Sequence, residues 1–272
     1  MSAPATALFE LTDDELHTLG IRLGIADFPV VLAMRPRHGT IGALERAYDA
    51  AGRSLTSRGL LSTGGVLPEL ADLVQVLRRP SRELALRLVT PDGLARVCVA
   101  QTGSLGVSAR RIGNSVTLRT LGSRCGVAEL IRAVLVELPA AGPASVDGFG
   151  APTVELTECL HGGHDATYLT DRLRALGAGH QVALVLGAAF ASRIAFGEIV
   201  CHALDPSADR VTRTPGAVGV FYTRRGRLVS APSVSPTGQL WTTIKPGSDH
   251  RVAQAVSQLA ELVPAGWEGD AQ

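Results

Sequence analysis

Ser81-Arg82-Glu83-Leu84-Ala85-Leu86-Arg87-Leu88-Val89-Thr90-Pro91-Asp92-Gly93-Leu94-Ala95-Arg96-Val97-Cys98-Val99-Ala100 is the stretch that decides the fold class of this chain. Leu84, Leu86 and Leu88 recur at every second position, the period of a strand with one buried face, and Asp92-Gly93 is a hairpin signal. Leu94 to Ala100 returns as the partner strand. Gly103-Ser104 turns again, and Leu105 to Arg111 with Ser115 to Leu121 completes an antiparallel meander. Val127 to Leu138 then changes period to that of an amphipathic helix. Consecutive strands followed by a helix, with no strand–helix alternation, predict an α+β chain built on an antiparallel sheet.

The unit is written twice. Ser81-Arg82, Gly106-Val107, Arg110-Arg111, Gly122-Ser123 and Leu138-Pro139 recur as Ser192-Arg193, Gly219-Val220, Arg224-Arg225, Gly247-Ser248 and Val263-Pro264. The Gly-Ser pair stands 17 residues before the closing proline in both copies, whereas the spacing from Gly-Val to Gly-Ser grows from 16 to 28. The second copy therefore carries extra residues. Their expected place is the turn-rich stretch Ser230 to Gly238, because loops absorb insertions at little thermodynamic cost. Residues 194–204, 217–223, 228–230 and 240–244 are its expected strands, and Ser248 is the expected N-cap of the last helix. A duplicated sheet-and-helix unit with one enlarged loop makes a platform for gripping a partner.

Ahead of the first copy, Thr12 and Glu15 form a capping box that opens a helix with Leu16, Leu19 and Leu23 on one face. Phe28 to Met34 reads as a short buried strand, and 41–58 and 68–77 as helices. Two short helices, 169–176 and 181–191, precede the second copy. The expected organisation is an N-terminal half (1–139), a flexible glycine-rich connection (140–165) and a C-terminal half (166–272), together forming one compact domain.

Composition narrows the class. Apolar residues make up 46% of the 272 and charged residues only 19%, so the chain is globular; with 4% aromatics its core is built from Val, Leu and Ala. A net charge of +1 gives no electrostatic basis for binding nucleic acid or anionic membranes. Lys245 is the sole lysine, a bias expected of a GC-rich genome. The N-terminus lacks a basic segment followed by an apolar one, and no apolar run reaches about 20 residues, so a cytoplasmic protein not embedded in a membrane is expected. Cys98, Cys125, Cys159 and Cys201 form no CxxC pair and read as reduced, buried thiols.

Chemistry is concentrated in Cys159-Leu160-His161-Gly162-Gly163-His164-Asp165, where a thiol, two imidazoles and a carboxylate offer metal-ligand chemistry. A metal-assisted hydrolase using Cys159, His161 and His164 or Asp165 is the enzymatic alternative, although the spacing matches no standard zinc pattern. There is no GxSxG elbow and no phosphate loop, so neither cofactor nor metal is expected. Arg110-Arg111 and Arg224-Arg225 place one guanidinium on each sheet face, one exposed and one capping carbonyls. Trp241 reads as a core aromatic or as an exposed residue in a partner groove, and Trp267 as a loosely packed tail residue.

Several of these segments together resemble the EspG family, cytosolic chaperones of actinobacterial type VII (ESX) secretion. The resemblance rests on Leu11-Thr12 with its acidic helix start, Phe28-Pro29-Val30-Val31-Leu32 and Gly226-Arg227-Leu228. Above all it rests on Gly238-Gln239-Leu240-Trp241-Thr242-Thr243-Ile244-Lys245-Pro246-Gly247-Ser248, and it runs from about residue 8 to 264. It implies a quasi-two-fold α+β fold with a central, strongly bent antiparallel sheet flanked by helical bundles. It also implies a non-enzymatic protein that binds the apolar tip of the PPE protein in a PE–PPE heterodimer and is a possible homodimer when free. The hairpin at Pro91-Asp92-Gly93 is short, whereas the family resemblance implies that the corresponding loop can be long and reach the client. Client contacts are expected on the second-half sheet and its loop, at Ser230, Ser235, Trp241, Thr243 and Lys245, with Arg87, Gln101 and Arg224 as rim partners.

Overall fold

The computed structural model describes residues 7–122, 125–161 and 163–263; Ser123, Gly162, Pro264 and Trp267 lie outside them. The chain forms two compact units, one from the residues up to 85 with 95–133, the other from 86–94 and the residues from 134 onward.

In the first unit, β1 (Leu8–Thr12) leads into α1 (Asp13–Arg22), α2 (Ile41–Ser57), a small hairpin of β2 (Leu61–Ser62) and β3 (Gly65–Val66), and α3 (Pro68–Arg78). The meander follows: β4 (Arg82–Thr90), β5 (Gly93–Thr102), β6 (Leu105–Ile112) and β7 (Ser115–Gly122), then α4 (Val127–Val136). β1, β7, β6 and β5 lie side by side, every pair antiparallel. The capping box closes as expected: the Glu15 N–H donates to Thr12 Oγ1 at 3.1 Å and the Thr12 N–H donates to Glu15 Oε2 at 2.8 Å. Leu16, Leu19, Leu55, Leu70, Leu73 and Leu77 from the three helices meet Cys98, Ala100, Val107, Ala109, Val116 and Leu118 of the sheet. Each such leucine contributes roughly 2 kcal/mol of burial.

The expected strand at Phe28–Met34 is instead a 3-10 turn, Val30–Leu32, with Val30 91% exposed and Ala33 in the left-handed region at φ 48°. The reason is a buried arginine. Arg111 of β6 pairs with Asp13 and donates to the carbonyls of Leu32 (2.7 Å) and Ala33 (2.9 Å), so an arginine fork does the work of a strand ladder.

The second unit repeats the same order. β8 (Phe149–Pro152) leads into α5 (Thr153–His161), α6 (Ala166–Ala175) and α7 (His180–Ala191), and then come β9 (Arg193–Asp205), β10 (Arg210–Arg213), β11 (Val218–Thr223), β12 (Gly226–Val234), β13 (Leu240–Pro246) and α8 (Asp249–Glu261). The strands run β4, β9, β11, β12, β13, β8, with β10 paired to the far end of β9. Ser248 caps α8, accepting the Arg251 N–H at 3.3 Å.

Two expectations are corrected. Residues 149–161, read as part of a flexible connection, form β8 and α5, because the free edge of β13 pairs with Phe149 to Pro152. The extra residues of the second copy also sit elsewhere. Gly106-Val107 lies on β6 but Gly219-Val220 lies on β11, one strand earlier in its meander, so the longer spacing counts a whole strand. The larger enlargement is 206–217 with β10, where the first copy has only Pro91-Asp92; the β12–β13 loop is just 235–239. The arginine pairs differ for the same reason: Arg110 is exposed and Arg111 buried on β6, whereas Arg224 and Arg225 are both exposed in a turn and Arg227 is the buried arginine of β12.

Candidate partner-binding surface

Strand β9 alternates along its length. Ala195, Gly197, Ile199, Cys201 and Ala203 are buried, whereas Phe196, Glu198, Val200, His202 and Leu204 are half-buried and Ile194 is 51% exposed. The buried set faces a tight layer: a Cβ on Gly197 would touch side chains of Leu86, Leu138 and Leu88 at 3.4–3.6 Å. Since Leu86 and Leu88 point there, Arg87 and Val89 of β4 point to the face of Glu198. That face is covered over β11, β12 and β13 by α5–α7, whose Leu156, Leu173, Leu186 and Phe190 cluster with Phe221, Leu228 and Ile244. β9 contributes only the partly buried Phe196 to this cluster, its ring 4.9 Å from that of Phe221.

The surface that remains is an apolar strip with a few polar groups. Val211 of β10 pairs with Leu204, and Arg213 pairs with His202. Val89 and Val211 are exposed. Arg87 Nη1 approaches Glu198 Oε2 at 3.9 Å, with the two side chains 54% and 35% exposed. Burial and the neighbouring Arg213 hold the His202 pKa below its usual value, so the imidazole is neutral at pH 7. The arrangement is a strip of half-exposed apolar side chains around the Arg87–Glu198 pair.

The expected contact residues scatter. Arg87 belongs to the strip. Ser230 shares its face, but is 7% exposed and uses Oγ to accept the Gly219 N–H at 3.0 Å, so it is a structural residue. Gln101 is also buried: Nε2 donates to the carbonyls of Gly103 and Cys125, both at 2.7 Å, fixing the β5–β6 turn against the start of α4. Burial removes both from any free surface. Arg224 is exposed in the β11–β12 turn, and Ser235 closes the β12–β13 loop by accepting the Gln239 N–H at 3.1 Å. Trp241, Thr243 and Lys245 pair with Ser233, Ala231 and Val229, which places them on the face opposite Glu198; Trp241 is 36% exposed and so is not a core aromatic. The β9 residues themselves were missed. β9 is apolar at both parities, a pattern that reads as burial on both faces.

The loop offered for metal chemistry is used otherwise. Cys159 is fully buried in the α5–α7 core, where burial raises its pKa. The His161 ring Nδ1 lies 2.8 Å from the Thr157 carbonyl, and Asp165 caps α6 by accepting the Tyr168 N–H at 2.7 Å. Among the described residues no three His, Cys, Asp or Glu side chains are grouped to hold a metal ion. Nor, among them, is any helix long and apolar enough to cross a membrane.

Known proteins are similar to this chain in sequence and in fold. ESX-1 secretion-associated protein EspG1 of Mycobacterium tuberculosis is 31% identical over 261 residues, covering 94% of this chain and 88% of the relative. ESX-3 secretion-associated protein EspG3 of Mycolicibacterium smegmatis is 28% identical over 264 residues, covering 96% and 89%. A solved structure, the type VII secretion system chaperone EspG5 of Mycobacterium tuberculosis in complex with the PE25-PPE41 dimer, matches 96% of this chain and 98% of its own with a TM-score of 0.78 at 19% identity. The EspG family matches residues 12–258, and the chain belongs to that family.

Proposed function

We propose that this protein is a cytoplasmic, non-enzymatic specificity chaperone of a type VII (ESX) secretion system, which binds the apolar tip of the PPE protein in a PE–PPE heterodimer, keeps it soluble and directs it to its own secretion system. The half-exposed row of β9, left open by the helices that cover β11 to β13, carries this reading. The EspG5 structure, in which a protein of the same fold holds a PE–PPE dimer, supports it. Ile194, Phe196, Val200, Leu204 and Val211 supply apolar area whose burial drives association, while Arg87, Glu198, Arg213 and His202 supply the polar contacts that discriminate among clients.

Co-expression with a panel of PE–PPE pairs, followed by affinity purification and size-exclusion chromatography, tests this. A soluble 1:1:1 complex is expected with the cognate pair. Val200→Asp in the middle of the strip is expected to abolish it while leaving the thermal melt close to wild type. A protein that captures none of the pairs refutes the reading.

A further inference from the structure

We infer that Glu198 is a specificity-determining residue of this surface and that the cognate client brings a neutral hydrogen-bond donor, a hydroxyl or an amide, to meet it; the inference rests on the proposed chaperone function. Glu198 is the one acidic side chain in a row otherwise made of Ile194, Phe196, Val200, His202 and Leu204. A client that covers Val200 and Phe196 on either side of it also removes Glu198 from water. A carboxylate desolvated without partners is costly. Its present partner does not suffice: Arg87 stands 3.9 Å away, beyond hydrogen-bonding distance, and is itself half in solvent. The client must therefore supply a donor.

The charge around the carboxylate selects which donor. Arg87 approaches it from β4, and Arg213 lies along the same face opposite His202. Also on this face are the neutral His202 and the buried Ser230, whose Oγ accepts the Gly219 N–H, while Thr242 Oγ1 is bonded to Thr153 Oγ1. The strip thus holds two guanidiniums, only Arg87 of them near Glu198, against one carboxylate, so a client lysine or arginine would add a third cation to a partly desolvated surface. A hydroxyl or amide satisfies the oxygen lone pairs without that repulsion. Clients with only apolar side chains at this point leave the carboxylate buried with no hydrogen-bond donor beyond the 3.9 Å approach of Arg87, which is how the strip rejects them.

The test measures affinity for the captured PE–PPE pair with wild type, Glu198→Gln and Glu198→Ala, at low and high salt, with thermal melts of each variant as the folding control. Glu198→Ala is expected to weaken binding about tenfold or more, because the client donor then has no acceptor. Glu198→Gln, which keeps a carbonyl acceptor, is expected to lose only a few-fold, with little change in salt dependence. Glu198→Ala binding as tightly as wild type overturns the inference, as does Glu198→Gln falling as far as Glu198→Ala with a steep salt dependence, the signature of a client cation. Wild type capturing no pair overturns the chaperone reading beneath it instead.

Discussion

At the residue scale the chain is organised by a few buried polar groups, each made tolerable by partners that the linear sequence does not advertise. Asp13 and Arg111 stand 98 positions apart and form a buried pair that holds the 23–40 connection. Arg227 plays the equivalent part in the second unit, donating to the Gly247 carbonyl and pairing with Asp249 at the start of α8. Glu83, at the start of β4, is buried beside Cys98, and burial pushes its pKa from 4.5 up to about 7. The sign follows from proton uptake. The folded state holds a proton on Glu83 that the unfolded chain releases above pH 4.5, so this group stabilises the fold fully at acid pH and loses that contribution as pH rises toward 7. The loss is of order 3 kcal/mol. Glu83→Gln should flatten the fall in denaturant midpoint between pH 4.5 and 7; a wild-type curve already flat there would contradict the assignment. The arginine pairs were legible as one exposed and one buried residue at Arg110-Arg111. They were not legible at Arg224-Arg225, because a turn, unlike a strand, imposes no alternation.

Elements with a strong local period were readable, and those made by pairing were not. α1, α2, α3 and α8 carry caps, bounding glycines or prolines and apolar stripes, so their spans follow from short-range chemistry. β8 and β10 have no such pattern and exist because a neighbouring strand offers an edge. Packing between elements gives a contrast that can be measured. A Cβ on Gly187 of α7 would lie 2.4 Å from Thr170 Oγ1 and 3.0 Å from the Ala166 carbonyl of α6. Gly187→Val should therefore cost about 3 kcal/mol and lower the melting temperature. Gly52, in the middle of α2, meets nothing within 4 Å, and Gly52→Ala should stabilise by about 0.5–1 kcal/mol through helix propensity. Equal melting temperatures for the two variants would show that α6 and α7 do not pack as closely as described.

For the whole molecule, the question is which sheet face of the second unit meets the client. Trp241, Thr243 and Lys245 stand on one face and the β9 strip on the other, so one experiment separates them. With the cognate PE–PPE pair, Trp241→Ala should leave capture unchanged and Ile194→Asp should abolish it. The reverse outcome would move the contact to the Trp241 face.

The sequence by itself determined the α+β class, the antiparallel meander, the repetition of the unit and, through the segments around Thr12 and Trp241, the family, since alternation, capping and turn chemistry act over a few residues. Only the tertiary structure decided which strands of the two copies correspond, which hydroxyls and amides are consumed internally, and which row of β9 stays uncovered. Those depend on where α5–α7 end over the sheet and on pairs such as Gly219 with Ser230, contacts between residues distant in the chain that no local period encodes.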